Sequence, residues 1–287
     1  MNPVNFNVTL IRPPGYVHSL ALSEAAEYVH GLLLDCGYRS RLSSNDFDPN
    51  AINVLFCAHL LEARHARLLP ARVIIFNSEQ LSNREGWHFH SGVYGQLLTK
   101  HWVWDYSVNH LACLPHQRSA HIPFLYSSRL RRADMRRRTD GNLLFYGSIT
   151  PHRERIFDGL RARGIAVDVL FGAYGRERDE RMFAARAVLN LHNAESVGMF
   201  EPIRCFYPLI NSIPVISEAT NNDETVTHFR NAMFFLPKQD FSSSVERLLG
   251  NATEFDQQAD VFAQAFAKTA SIEHVRDAAQ RYLANAG

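Results

Sequence analysis

The sequence has no excess of either charge: thirty Lys and Arg stand against twenty-nine Asp and Glu, a formal net charge of +1 over 287 residues. A chain without a global field is not drawn as a whole to nucleic acid or to an anionic membrane, so recognition has to be local. Cysteine is scarce, four residues in all. Cys36, Cys57, Cys113 and Cys205 lie far apart, with no C-x-x-C pair for zinc or dithiol chemistry; buried free thiols are expected. No run of about eighteen apolar residues is present, and MNPVNFNVTLIRPPG lacks the basic-then-apolar order of a secretory leader. A cytoplasmic protein without a transmembrane segment is expected. Glycine-rich repeats and low-complexity tracts are missing. No G-x-G-x-x-G follows the first strand of either half, which argues against a dinucleotide-dependent oxidoreductase.

What is present is an ordinary globular composition, 46% hydrophobic and 21% charged, in a chain long enough for two domains of about 120–150 residues. Phe6 to Ile11 alternates as a strand does and runs into Arg12-Pro13-Pro14-Gly15. Apolar residues then recur at helical spacing from Leu22 to Cys36, with Gly37 as the stop. Ile52 to Phe56 and Arg72 to Phe76 are short apolar runs typical of buried parallel strands. Val103 to Ser107 and His121 to Leu125 read as further strands around a helix at Ser107 to Leu114. This first domain is expected over residues 1–126.

Residues 127–140, SSRLRRADMRRRTD, are arginine-rich without apolar periodicity and read as a basic linker. Such a cluster can hold phosphates, though at a joint it is more often solvated or paired with acidic residues. The pattern restarts with strands at Asn142 to Tyr146, Ala166 to Phe171, Ala187 to Leu191 and Ile213 to Ser217. Helices alternate with them at Pro151 to Arg163, Glu177 to Arg186 and Glu201 to Ile210. Such a βαβαβαβ series makes an open parallel sheet with ligands beyond the strand C-terminal ends. A second domain is expected over 141–270. Helices follow at Phe241 to Leu249, Glu254 to Ala267 and Ile272 to Leu283; residues 271–287 are expected to pack as a helix across the domains.

Four loops of the second half carry the chemistry. Tyr146-Gly147-Ser148 leads into a helix bearing Arg153, where glycine admits close backbone approach, the helix N-terminus donates N–H groups and arginine can take two phosphate oxygens. Gly-Ser before a helix is equally a common cap. Tyr174 and Arg176 lie in the glycine-bearing loop Phe171 to Asp179, which could frame a base or a diphosphate. His192 and Asn193 end a buried strand and need polar partners in a closed site, or else cap a helix. Glu201 opens a helix with Arg204 one turn on; the carboxylate can accept sugar hydroxyls, or simply favour the helix dipole. Two further patterns read as structural: Asp46-Phe47-Asp48, with metal-type D-x-D spacing in a turn, and Trp87-His88-Phe89-His90, which lacks a third ligand.

The run from Leu144 to Glu218, with its FYGS turn, AYGRERD loop, VLNLH strand and FEPIR-to-IPVISE helix and strand, resembles bacterial glycosyltransferases of the GT-B fold, group 1 type. GYVHS at Gly15 to Ser19, FNSEQL at Phe76 to Leu81 and VWDYS at Val103 to Ser107 extend the resemblance more loosely. It implies an α/β protein of two Rossmann-like domains facing each other across a cleft. A nucleotide-diphosphate sugar would be held by the second domain and an acceptor (glycan, lipid, small molecule or protein) by the first. On that analogy Gly147, Ser148 and Arg153 face the diphosphate, Tyr174 and Arg176 the nucleotide side, and Glu201 with Arg204 the ribose or sugar. The sequence departs from the group 1 pattern of two glutamates eight residues apart, since Asn193 and Leu209 stand eight either side of Glu201. Helix N-termini and arginines can stabilise a leaving diphosphate without a metal or other cofactor. His18, Glu79 and Asp105, in or beside strand-end loops of the first domain, are the candidates for a base. The competing reading is a non-catalytic module of the same fold that binds a nucleotide sugar, or that grips nucleic acid through Arg131, Arg132, Arg136, Arg137 and Arg138.

Overall fold

The computed structural model describes residues 4–81, 92–114, 116–194, 200–220 and 224–285. The chain divides into two compact units, Met1–Phe124 with Ala270–Gly287, and Leu125–Thr269.

In the first unit the strands are β1 (Asn5–Leu10), β2 (Arg39–Ser44), β3 (Ile52–Phe56), β4 (Val73–Asn77), β5 (Trp102–Asp105) and β6 (Ser119–His121). They form a parallel sheet in the order β2-β1-β3-β4-β5-β6. The central strands β3 and β4, INVLF and VIIFN, are buried at every position, as expected of strands covered on both faces. The edge strand β2, RSRLSS, is largely exposed and has no apolar signature, which is why the sequence pattern misses it. His121 to Leu125 was expected as strand; it pairs only through Ser119–His121, and Ile122 N–H then donates to the Asp105 carbonyl as the ladder ends.

The second unit holds β7 (Leu143–Tyr146), β8 (Val167–Leu170), β9 (Ala187–Asn190), β10 (Val215–Glu218) and β11 (Phe234–Leu236). They are parallel, in the order β11-β10-β9-β7-β8. The core packs Phe145, Leu189 and Ile216 of the sheet against Phe157, Leu160 and Phe255 of the covering helices. Because the chain leaves β7 for β8 and then crosses back to β9, the strand order reverses between β7 and β9. That is where an open α/β sheet leaves a crevice beyond its C-terminal ends.

Two boundaries differ from the sequence reading. Residues 127–140 are part of the second unit: Arg132 Nε lies 3.2 Å from Asp179, Arg137 3.0 Å from Asp256, and Arg138 N–H donates to the Phe183 carbonyl. Two of the arginines that gave the segment its linker character, Arg132 and Arg137, are held by acidic partners on neighbouring helices, and Arg138 pairs with Asp140 within the segment. The helix Ile272–Asn285 belongs to the first unit, where it packs on the helix Ser23–Asp35 and sets Tyr282 edge-on to Trp102 at 5.6 Å. Of the cysteines, all free, Cys57 and Cys205 are buried while Cys36 and Cys113 are half-buried. No helix among the described residues is long and apolar enough to cross a membrane.

Gly141 enters β7 beneath the end of the helix Arg176–Ala184, and a Cβ there would fall inside the Ala184 carbonyl. Backbone cannot yield as a side chain can, so Gly141→Ala is expected to destabilise the protein by about 3 kcal/mol, read as a lower urea midpoint at unchanged slope.

Candidate functional site

The crevice between β7 and β9 gathers most of the residues singled out from the sequence. After β7 the chain turns at Gly147, whose φ of +145° is a conformation that glycine adopts without penalty. The following Thr150 caps the helix Pro151–Arg161, accepting from Arg153 N–H and donating to the Asn193 carbonyl at 2.9 Å. Proline at the first helical position fixes the entry.

Arg153, 4% exposed, points inward. Its guanidinium donates to the carbonyls of Leu191 (2.9 Å), His192 (3.0 Å) and Ser148 (2.8 Å), and stands 5.1 Å above the Phe145 ring. The sequence reading put this group on a diphosphate; its many bonds to loop carbonyls make it the clamp that joins the β7 and β9 loops. Arg204, half-buried, comes from the helix Pro202–Ile210. It donates to Asn190 Oδ1 at 2.9 Å and lies 5.7 Å from the same ring, with its other terminal nitrogen beside Gly147, where a side chain would meet it. Asn190 is held in turn by Ser217 at 3.0 Å. Burial first, and then the neighbouring Arg204 charge, push the Arg153 pKa down to about 10; Glu201 and Glu218 oppose the shift.

Glu201 stands at the N-cap position of the helix without a side-chain cap hydrogen bond, a place where a carboxylate also favours the helix dipole. His192 and Asn193 follow β9 on the same rim, His192 buried and Asn193 exposed. Two residues missed by the sequence reading complete the floor. Glu218, fully buried at the end of β10, accepts from His192 N–H at 2.7 Å and from His152 Nε2 at 2.8 Å. An acidic residue closing the apolar strand VISE was the available signal. His152 also lines a cleft of about 320 Å³ with Arg155, Lys238 and Asp240.

Tyr174 and Arg176 are not drawn into this cluster. Tyr174 sits half-buried in the β8 loop, and Arg176 lies on the surface, paired with Glu180 at 3.0 Å and Asp134 at 3.5 Å. The buried arginine of that segment is Arg178, over the Tyr207 ring at 4.6 Å and bonded to Asp179 at 2.8 Å.

In the first unit, Asp105 is fully buried and accepts from Ser107 N–H (2.8 Å), His110 Nδ1 (3.0 Å) and Asn77 Nδ2 (2.7 Å). With its lone pairs so engaged it organises the loop after β5 and does not present a base. His18 is half-buried in the turn Val17–Leu22, edge-on to Tyr16. Glu79, after β4, is partly exposed and lies 3.0 Å from His59. A cleft of about 240 Å³ opens on this rim between the β1 and β2 loops, lined by Arg12, Tyr16 and Asn45. Asp46 and Asp48 take up Arg41 at 2.8 and 3.9 Å and form a turn. His88 and His90 lie outside the described residues. Among the described residues no group of three His, Cys, Asp or Glu side chains is placed to hold a metal.

No family model matches the chain. By sequence it is similar to proteins of Acanthamoeba polyphaga mimivirus. It is 24% identical to uncharacterized protein L140 over 156 residues, 53% of this chain and 50% of L140. It is 28% identical to uncharacterized protein R358 over 208 residues, 72% of this chain and 71% of R358. The chain therefore spans about half the length of L140. These relatives are viral, and the bacterial membership suggested by the motifs finds no support in them. Among solved structures it is similar to WaaG, a glycosyltransferase involved in lipopolysaccharide biosynthesis (TM-score 0.60, 13% identity, 99% of this chain and 100% of that one). It is also similar to Anabaena Alr3699/HepE in complex with UDP and glucose (0.62, 9%, 99% and 100%), and to T4 phage BGT in complex with its UDP-glucose substrate (0.58, 11%, 96% and 98%). At such identities the likeness establishes the fold: two Rossmann-like α/β units of the GT-B type.

Removing the Glu218 carboxylate leaves His192 N–H and His152 without their acceptor. Glu218→Ala is expected to cost about 3 kcal/mol in urea unfolding, with Glu218→Gln clearly milder because one acceptor oxygen remains. Equal stability of Glu218→Ala and the parent chain would show that the carboxylate does not organise the floor.

Proposed function

We propose that this protein is a glycosyltransferase that moves a sugar from a nucleotide-diphosphate sugar to a hydroxyl-bearing acceptor, and that its second unit holds the donor. The observation that carries this reading is the pair of guanidinium groups on one aromatic ring at the β7/β9 switch point. Arg153 and Arg204 approach Phe145 at 5.1 and 5.7 Å, and neither is salt-bridged among the described residues. Two cations so close in a partly dry site repel each other, which adds to the burial that lowers the Arg153 pKa and is opposed by Glu201 and Glu218. A bound anion relieves that repulsion, and a diphosphate carries enough charge and oxygen atoms to engage Arg204 and the N–H groups opening the helix Pro151–Arg161 together.

The same arrangement supports the chemistry of transfer. As the bond from the anomeric carbon to the β-phosphate oxygen lengthens, negative charge grows on the leaving diphosphate, and fixed positive groups stabilise it more than they stabilise the ground state. Arg204 is the group placed to do this, with Arg153 and Asn190 fixing its loops and orientation. We assign Glu201 to hydroxyls of the ribose or sugar. No metal is part of the proposed mechanism. The UDP and UDP-glucose complexes of HepE and of T4 phage BGT make UDP the first nucleotide to test. The nucleic-acid alternative is weakened by the commitment of Arg132, Arg137 and Arg138 to Asp179, Asp256 and Asp140.

Calorimetry with UDP, GDP and TDP, and with inorganic pyrophosphate, is expected to show saturable binding of pyrophosphate and of at least one nucleotide. Arg204→Ala should weaken it roughly 10- to 100-fold, the worth of about 1.5–3 kcal/mol for a charge-assisted contact. EDTA should leave the affinity unchanged. Absence of heat and of thermal shift with every nucleotide and its sugars would sink the reading.

A further inference from the structure

The cleft at the β1/β2 rim of the first unit has no part in the donor site, and its wall holds a cation that no acidic side chain takes up among the described residues. We propose that this cleft binds an anionic monosaccharide, a sugar ring bearing a carboxylate or a phosphate, with Arg12 meeting the charge and Tyr16 the ring. The site is built from the first unit alone and does not depend on the glycosyltransferase reading.

The sequence makes the cleft from two short loops that are fixed without a ligand. After β1 the chain runs Arg12-Pro13-Pro14-Gly15-Tyr16, and Tyr16 N–H donates to the Pro13 carbonyl at 3.0 Å. Pro14 and Gly15 stand at the centre of that turn, Gly15 with φ +77°, and proline followed by a left-handed glycine is the order a type II turn favours. After β2, Asn45 takes φ +51°, a conformation that asparagine visits more readily than other residues with a side chain. Its N–H donates to the Leu10 carbonyl at 3.2 Å. Its side-chain amide accepts from Arg12 N–H at 2.8 Å and donates to the Arg12 carbonyl at 2.7 Å. Asn45 thus staples the two loops through the backbone of Arg12 and leaves the Arg12 side chain out of the staple. A wall fixed in this way adds little ordering cost to binding.

The charges at this rim are unevenly matched. Asp46 and Asp48, the acidic residues of the β2 loop, lie 2.8 and 3.9 Å from the Arg41 guanidinium. Arg12 is half-buried in the cleft wall, and among the described residues its bonds are those of its backbone, with no salt bridge. A guanidinium at a concave surface without a carboxylate keeps its charge for an incoming anion, and its planar fork offers two parallel N–H groups to a carboxylate or phosphate.

The rest of the lining suits a sugar ring. Tyr16 is 43% exposed, its ring set edge-on to His18 at 5.4 Å. An aromatic face takes up the apolar C–H face of a pyranose, while the Tyr16 and Ser44 hydroxyls can exchange hydrogen bonds with the sugar hydroxyls. The cleft measures about 240 Å³, below the range of about 300–1,000 Å³ for drug-sized ligands. It has room for one ring with its acidic group and is too small for a nucleoside diphosphate.

Titration of the full chain with glucuronate, glucose-6-phosphate, neutral glucose and inorganic phosphate, followed by calorimetry and ligand-observed proton NMR, tests the site. Saturable binding of both acidic sugars is expected, with glucose weaker by about 10-fold or more. Arg12→Ala should weaken glucuronate roughly 10- to 100-fold at an unchanged melting temperature, and Arg12→Lys should weaken it less, because the charge remains and only the fork is lost. Tyr16→Ala should weaken both acids about 3- to 10-fold. Arg204→Ala, in the second unit, should bind glucuronate as the parent does. No saturable binding of either acid, glucose bound as tightly as glucuronate, an unchanged affinity in Arg12→Ala, or a loss in Arg204→Ala instead would each overturn the site. Inorganic phosphate bound as tightly as glucose-6-phosphate, with glucuronate bound no better than glucose, would leave an anion site and overturn the sugar assignment. The nucleotide titrations of the second unit are read separately, so the donor site can fail while this one stands, and the reverse.

Discussion

A guanidinium group that is 4% exposed and not salt-bridged among the described residues has to find acceptors in the backbone, and Arg153 finds them in the carbonyls of Ser148, Leu191 and His192. Burying a cation costs several kcal/mol unless its hydrogens are satisfied, so these bonds fix the two loops as much as the loops fix the arginine. The rest of the second unit's rim is arranged around them. Thr150 ties the β7 loop to Asn193, Glu218 draws His192 and His152 together from β10, and Asn190 steers Arg204 over Phe145. Three strand ends that are distant in sequence thus become one polar site.

The same residue type serves scaffold and site in this chain, and burial decides which. Arg178 stacks on Tyr207 and bonds to Asp179, Arg186 stacks on Phe255 and pairs with Asp256, and Arg137 shares that aspartate. Each has a nearby carboxylate, so its charge is already met. Arg153 and Arg204 differ in that their hydrogen-bond partners are carbonyl and amide groups, with Glu201 and Glu218 acting on Arg153 only through space. That difference in partners underlies the anion site proposed for the β7/β9 crevice.

Two carboxylates of the first unit follow the same logic. Asp105 ends β5 and Glu79 follows β4, and both lie in the Asn77 network. Asp105 takes three donors in complete burial, and a carboxylate so engaged holds a loop in place. Glu79 is half-buried, its backbone tied to Asn77 and its Oε1 accepting from Ser78 at 3.3 Å and lying 3.0 Å from His59.

Elements with an internal hydrophobic period were legible in the sequence. Ile52 to Phe56 and Phe241 to Leu249 appear with the bounds read from the pattern, and the alternation read from Asn142 to Ser217 is present, whereas the edge strand Phe234–Leu236 beyond it was not read. Strand-end glycine, arginine and acidic residues pointed to the loops of the proposed donor site, because parallel α/β units place their ligand groups there. The edge strand β2, the membership of residues 127–140 and 270–287, and the fates of Arg176 and Asp105 were decided by tertiary structure. Each depends on a partner remote in the chain: β2 on β1, Arg132 on Asp179, Tyr282 on Trp102, Asp105 on Asn77. Local pattern sets which face of an element is apolar and where the chain turns. Which of two arginines keeps its charge for a ligand is settled only when folding brings a carboxylate, or a carbonyl, within hydrogen-bonding distance.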